Sequence, residues 1–389
     1  MAEQFDVVVI GGGLAGLSVA YELAASRSVA VVEAESATGY HATGRSASVI
    51  SENYGPPLWK ALASASRAFL ANPPKDLANA PLLRVRGALT LAQPQEEDAL
   101  RQQAKDLAHR GIRASLLGID DILKLCPVLR RPRFSLGLYE PDCQDIDTNE
   151  LMRVYERGFK KRNGRIFTGE PLAALQKTGA LWRADTQTRQ FQAPLVVNAA
   201  GGWARNIAQL AGLPDRKVMP FLRTAITFDP PGEMTISNWP IVFDVTETFY
   251  FKPEAGQIIA SPVDMTPCPP GDVQAEELEV AVTIDRIERH TTLDIVRPSH
   301  TWGGLRTFAS DHEPVIGPDP EDPSFVWLAG QGGNGVMGAP AAARLAAALA
   351  LNQAIPSDIE ALGVMAESVS PGRPAMLEDV IGRAIDLEA

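Results

Sequence analysis

Four apolar residues, Val7-Val-Val-Ile10, run directly into Gly11-Gly-Gly13, and a second apolar run, Val29-Ala-Val-Val32, ends at an acid, Glu33. Between them residues 14–25 are small and apolar, as suits a helix packed on a sheet. Unbroken apolar runs of strand length mark strands covered on both faces. The order predicts a strand–turn–helix–strand unit built to hold a dinucleotide. In it Gly11 allows a tight turn, Gly13 lets the backbone approach a pyrophosphate, and Gly16 lets the helix lie close on the strand. The helix N-terminus faces the phosphates with free N–H groups. Glu33 stands where an acid accepts from a ribose diol.

Similar junctions recur. Leu195-Val-Val-Asn198 leads into Ala199-Ala-Gly201, and Phe325-Val-Trp-Leu-Ala329 leads into Gly330-Gln-Gly-Gly-Asn-Gly335. Elsewhere the pattern predicts a helix around 57–71 ended by Asn72-Pro-Pro, strands in 82–92, a charged helix over 95–110 and a short one over 120–127. Asp147 or Thr148 caps a helix reaching about residue 163. Strands fill 165–198. Residues 218–285 are proline-punctuated and alternate, as in Ala225-Ile-Thr-Phe228 and Thr248-Phe-Tyr-Phe-Lys252, which reads as β-structure. Helices follow over 285–291 and 339–351, and the tail beyond 371 lacks pattern and reads as loosely held. Nucleotide-type elements at the start, middle and end imply an α/β (α+β) fold. A Rossmann-like domain is assembled from 1–81, 141–220 and 300–389, and 82–140 with 221–299 form a β-rich cap.

Composition narrows the function. The 389 residues carry 36 basic and 47 acidic side chains, a net charge of −11, which argues against nucleic acid as a partner. Cys126, Cys143 and Cys268 have no metal-ligand spacing, and the five histidines are scattered, so no metal is expected. No apolar run approaches the roughly 18 residues of a membrane span, and the nucleotide strand begins within a few residues of Met1. A cytoplasmic protein is expected; a membrane-peripheral one would look the same. Oligomeric state is left open.

Several stretches in order carry a resemblance: Gly39-Tyr-His-Ala-Thr-Gly-Arg-Ser-Ala47, Ala65-Ser-Arg-Ala-Phe69, Asn72-Pro-Pro74, Asp145-Ile-Asp-Thr148, Val197-Asn-Ala-Ala-Gly201, Phe249-Tyr-Phe-Lys-Pro253, His300-Thr-Trp302 and Gly304-Leu-Arg306. Over nearly its whole length the chain resembles the D-amino-acid oxidase superfamily of FAD-dependent amine oxidoreductases, and within it the D-arginine dehydrogenase branch. The resemblance implies non-covalent FAD. Gly11, Gly13, Leu14, Ala15 and Gly16 would hold the pyrophosphate, and Glu33 with Ala34 the adenosine side. Thr43, Gly44, Arg45, Ser46 and Ala47 would line the flavin, with Ala200 and Gly201 from the middle junction. Gly332, Gly333, Asn334, Gly335 and Val336 would place a helix N-terminus at the ring edge that becomes negative on reduction.

The same resemblance implies a small amino-acid substrate. Arg223 and Arg306 would grip its carboxylate, since arginine offers a bidentate fork, with Tyr250 as a hydroxyl donor and the Gly304 carbonyl accepting from the amine. Tyr54 would be a lid or wall. Oxidation would pass hydride from Cα–H to flavin N5, and the imino acid would hydrolyse to a 2-oxo acid and ammonia. D-amino acids are the first reading. Glycine, N-methyl or cyclic secondary amino acids form the alternative, a 2-hydroxy acid lacks an evident histidine base, and a non-catalytic flavin or NAD protein would make both arginines accidental. Dioxygen and a quinone remain equal as electron acceptors; peroxide formed in air would distinguish them.

Two positions depart from the D-arginine branch: Ala88 stands where its acid pairs with the substrate guanidinium, and Val49 replaces a histidine. An unpaired buried cation is costly. Neutral or apolar side chains are therefore expected to be preferred, unless Glu52 or another cap acid restores charge recognition. D-Arginine and D-lysine should be turned over less efficiently than D-leucine or D-methionine, read as kcat/KM. A strong D-arginine preference would move the specificity residue elsewhere.

Overall fold

The computed structural model describes residues 2–381. Its centre is a six-stranded sheet in the order Arg165–Phe167, Val29–Val32, Val7–Ile10, Leu195–Asn198, Phe325–Ala329, Val315–Pro318. Every pair is parallel except the last. Val7 to Ile10 and Val29 to Val32 are all buried, which explains their lack of polar alternation. One face is covered by helices Leu14–Leu23, Pro57–Ala71, Thr148–Lys161 and Gly335–Ala350. The other face packs on a small sheet (Glu3–Gln4, Gln190–Ala193, Leu181–Thr186, Leu172–Thr178) and on helix Ala204–Leu210.

Val29–Val32 and Leu195–Asn198 flank Val7–Ile10 on opposite sides. The loops leaving these strands diverge and open a crevice at the carboxyl end of Val7–Ile10, the usual ligand position in such sheets. The backbone there is too close for side chains. Gly11 has φ +105°, and a Cβ on it would lie 2.5 Å from the Ala199 carbonyl oxygen. A Cβ on Gly16 would collide with the carbonyl of Gly11.

A nine-stranded sheet forms the cap, containing Met219–Phe228, Ile241–Asp244, Tyr250–Glu254, Gln257–Ser261, Thr266–Pro267, His300–Phe308, Ala88–Ala92, Leu136–Glu140 and Ser115–Gly118. Its two faces follow from strand alternation. Leu89, Leu91, Val242, Phe251 and Ile226 pack with Ile122 and Ile287 of the helices Ile119–Leu125 and Glu277–His290. Ala88, Ile241 and Tyr250 belong to a separate cluster on the opposite side.

Several elements differ from expectation. His300–Phe308, grouped by sequence with the nucleotide segments, lies in the cap sheet, paired along Met219–Thr227; an isolated strand pattern does not reveal which sheet it joins. Leu83–Val85 pairs with Gln144–Ile146 in a three-stranded sheet that also holds Val49–Ile50. The helix expected from Asp285 starts at Glu277, with acids in its first turn that favour a helix start. The helix expected from Ala339 starts at Gly335 and contains Pro340. Glycine and proline read as breakers, but Gly338 packs against the Trp59 ring and the tertiary contact prevails. Asp147 is the cap of the helix that follows it, accepting from the Glu150 amide. The tail is held at least to Leu377: Met376 is fully buried and Arg373 pairs with Asp311. Residues 382–389 of that tail lie outside the described residues.

Gly16→Ala should cost about 1–3 kcal/mol, the usual penalty of overpacking, because no flexible side chain lies in the way to yield. Thermal denaturation checks the cost, and the variant should also lose FAD on gel filtration.

Candidate active site

The crevice holds a cavity of about 320 Å³ lined by Gly11, Gly13, Leu14, Ala15, Glu33, Ala34, Ala200 and Gly201, among others. Glu33 lies at its wall: one carboxyl oxygen accepts from the Gly12 amide and the other from the Glu35 amide at 2.8 Å. A carboxylate has about four acceptor positions, so two remain for a diol. Thr43 Oγ1 accepts from the Leu14 amide at 3.1 Å, which fastens the 39–47 loop to the helix N-terminus. Gly44 returns on Gly39 through a 2.8 Å backbone bond.

A second cavity, of about 110 Å³, shares Leu14, Ala15, Thr43 and Gly201 with the first. Arg45, Ser46, Arg223, Tyr250, Gly304, Arg306, Gly332, Gly333, Gly335 and Val336 also line it. The structure thus brings to one connected space residues separated by nearly the whole chain. Ala47 and Val336 border a smaller adjoining space of about 40 Å³, with Tyr54, Ile241, Phe243, Tyr250 and Arg306.

Strand register aligns the two arginines. Arg223 is paired with Gly304 and Phe221 with Arg306. Residues two apart share a face, so both guanidinium groups stand diagonally on the face that borders the cavity. Arg223 is buried; its Nε donates to the Asp264 carbonyl at 2.8 Å, and the Asp264 carboxylate lies 3.7 Å away. Its Nη1 is buried without a hydrogen-bond partner among the described residues. Burial, and then repulsion from Arg306, pull the Arg223 guanidinium below its usual pKa. Two neighbouring cations with an unmet buried donor make a site suited to an anion.

The flavin-side residues vary in what they do. A Cβ on Gly333 would run into Arg306 Nη1 and lie 2.9 Å from the Tyr54 hydroxyl, so the backbone, the arginine and the phenol converge there. Asn334 is the N-cap residue of Gly335–Ala350, and its Oδ1 is buried with no partner among the described residues. Gln331 Nε2 is likewise unpartnered. Orphaned polar atoms beside a helix N-terminus, with a glycine cradle opposite, fit a polar ring edge and a pyrophosphate. Arg45 is instead engaged with protein: Nη1 donates to the Val273 and Gly303 carbonyls at 3.0 and 2.9 Å, and Nη2 pairs with Asp272. It ties the 39–47 loop to the cap.

Residues 6–349 match the FAD dependent oxidoreductase (DAO) family, and the chain belongs to that family. FAD is its cofactor. The chain is similar to glycine oxidase of Bacillus licheniformis, at 23% identity over 92% of this chain and 96% of that protein. It is similar to mitochondrial dimethylglycine dehydrogenase of Rattus norvegicus at 23% identity, over 67% of this chain but only 31% of that longer protein. The crystal structure of glycine oxidase from Geobacillus kaustophilus superposes with TM-score 0.83 and 22% identity, covering 96% of this chain and 99% of that one, and shows a shared fold. These likenesses support the family expected from sequence, but not specifically its D-arginine branch. No helix among the described residues is long and apolar enough to cross a membrane.

Sequence reading missed Asp264, Ile241, Phe243, Trp302, Gln331 and Glu140. Asp264 accepts the Thr224 amide at 2.8 and 3.0 Å and backs Arg223. Strand alternation puts Ile241 and Phe243 on one face, but their meeting with Tyr250 depends on the pairing of Phe243 with Tyr250. Nothing local marked Asp264 or Glu140, whose partners arise only on folding.

Arg306→Met should retain FAD, seen in its visible spectrum, and raise KM for a carboxylate substrate roughly 100-fold, the scale of a lost charge-assisted pair. Arg223→Lys keeps a cation beside Asp264 but loses the fork, and should raise KM roughly tenfold with a smaller change in kcat.

Proposed function

We propose that this protein oxidises the C–N bond of a small amino acid, glycine or an N-substituted glycine, to an imine that water hydrolyses to a 2-oxo acid and the free amine. The observation that carries this reading is the unpartnered Nη1 of Arg223 beside Arg306 in the cavity wall. The substrate carboxylate would bridge the two guanidinium groups, with the Tyr250 hydroxyl as a further donor and the Gly304 carbonyl as acceptor for the amine. Bound FAD supplies the two-electron acceptor for the Cα hydrogen. Its adenosine half would lie against Gly11–Gly16, Glu33 and Ala34. The flavin half would lie against 43–47, Ala200, Gly201 and 332–336. Segments 1–81, 141–220 and 300–389 would act as the cofactor unit and 82–140 with 221–299 as the cap, except that strand His300–Phe308 would serve with the cap sheet it lies in.

Protein groups set the geometry and exclude water. Two arginines fix the carboxylate, which leaves Cα one orientation and lowers the entropic part of the barrier. Tyr54, stacked on Phe243 with ring centroids 5.8 Å apart, closes the far side. The amine must be neutral when hydride leaves; among the described residues no histidine lines the cavities beside the arginines, so its proton would pass to solvent. The adjoining space of about 40 Å³, walled by Ile241, Phe243 and Tyr250, suits a methyl-sized group better than a long chain. The glycine oxidase and dimethylglycine dehydrogenase likenesses point the same way.

A second reading, oxidation of neutral D-amino acids, is favoured by Ala88, which is buried in an apolar cluster with Cys143, Ile241 and Tyr250. Anaerobic bleaching of the yellow enzyme separates the readings. Glycine, N-methylglycine, proline, D-leucine, D-arginine and a 2-hydroxy acid would be added in turn. Bleaching by glycine or N-methylglycine is the expected result; bleaching by D-leucine alone selects the second reading, and no bleaching by any amino acid overturns both.

A further inference from the structure

Tyr54 lies in an irregular segment, residues 51–56, held at its start by a buried acid. Ser51 is 2% exposed and Glu140 4%. The Ser51 hydroxyl lies 3.2 Å from each Glu140 carboxyl oxygen, as donor, and accepts from the Asn53 amide at 3.2 Å. Asn53 passes its side-chain amide to Gln103 at 3.1 Å. The next residue is Tyr54. Behind the Tyr54–Phe243 stack is a chamber of about 40 Å³ lined by Ser51, Asn53, Thr90, Gln103 and Glu140.

We propose that Glu140 is a positioning residue: through Ser51 it fixes the Tyr54 ring against the carboxylate-binding cavity, and its ionisation loosens that ring. The inference rests on the amine-oxidising reading of that cavity. Glu140 has one hydroxyl for a donor, and a buried anion so poorly solvated is costly. Burial, helped by Glu52, pushes its carboxyl up to about 7 against the opposing pull of the Ser51 hydrogen bond, Lys60 and Arg110. Asp244 and Glu247 also face the chamber and add negative charge. If the segment opens, a hydrated Glu140 returns towards its ordinary value of 4.5. The closed form therefore binds the proton more tightly, and rising pH between those values favours the open form.

The test is hydrogen exchange of backbone amides 51–55 in the FAD-loaded enzyme, corrected for intrinsic rate, with KM and kcat measured alongside. Protection should fall as pH rises from about 5 to about 8 in the unmodified protein. In Glu140→Gln a neutral amide still accepts from Ser51, so protection should not vary with pH. Ser51→Ala, which leaves the Glu140 strand intact, should lower protection throughout and raise KM roughly tenfold with kcat less affected. Glu313, also pushed to about 7 by burial, accepts from the Leu58 amide beyond the segment's other end; Glu313→Gln should keep the normal pH response. The proposal is overturned if Glu140→Gln still loses protection as pH rises, or if Ser51→Ala leaves both protection and KM unchanged. Should no amine reduce the flavin, the proposed function fails, and the exchange arm still decides whether Glu140 holds the segment.

Discussion

Two arginines on one face of a strand pair repel each other, and among the described residues the carboxylate that pairs with them is Asp264, which backs Arg223 from the side away from its free Nη1. Such an arrangement is stable only because the sheet enforces it. Met219–Phe228 and His300–Phe308 are paired along their length, so their backbones cannot move apart without breaking the ladder, and the Asp264 carbonyl holds the Arg223 side chain in place. An anion entering between the two arginines would relieve their repulsion, so in the proposed function recognition of a carboxylate would be tied to the rigidity of the cap. Burial of Arg223 and partial burial of Arg306 reduce competing water and lengthen the reach of their charges.

The cap must then be registered against the nucleotide crevice, and single contacts across the seam accomplish this. Arg45 reaches from the 39–47 loop to Asp272, Val273 and Gly303, while Trp302 returns its indole N–H to the Arg45 carbonyl at 3.2 Å. Gly303 and Trp302 lie on the strand that carries Gly304 and Arg306. A residue expected to line the flavin thus also ties the 39–47 loop to the strand that carries Arg306, and in the proposed function it would set the distance between cofactor and substrate. Hydride transfer is sensitive to that distance.

What sequence made legible follows the range of the interactions. The crevice was readable because its apolar runs, glycines and acid are local, and each has a single physical use. Asp147 as a cap and the alternation at Tyr250 were local too. By contrast, no window around His300–Phe308 says that its partner is Met219–Thr227, so its own pattern groups it with the nucleotide segments that follow it. The helix through Gly335 and Pro340 was read short because its stabilising contact, with Trp59, lies far away in sequence. Roles taken from resemblance placed Arg223, Arg306, Tyr250 and Tyr54 around connected cavities, but the buried acids behind them had no local signature.

The absence of an acid at position 88 acquires a different meaning beside Glu140. Ala88 and Glu140 are direct partners in the antiparallel ladder, and opposed residues present their side chains on the same face about 5 Å apart. A carboxyl is therefore present in this row, one strand away from the position that would face a cationic side chain. There it meets the Ser51 hydroxyl rather than the cavity walled by Tyr250, and Ala88 fills the vacated place with a methyl group packed on Cys143 and Ile241. An acid so placed would have to break its bond to the segment that carries Tyr54 before it could pair with a substrate guanidinium. On the proposal above, charge at Glu140 and order at Tyr54 are thus coupled, and the row of the sheet that would leave a cationic substrate without a partner would also supply the wall with its anchor.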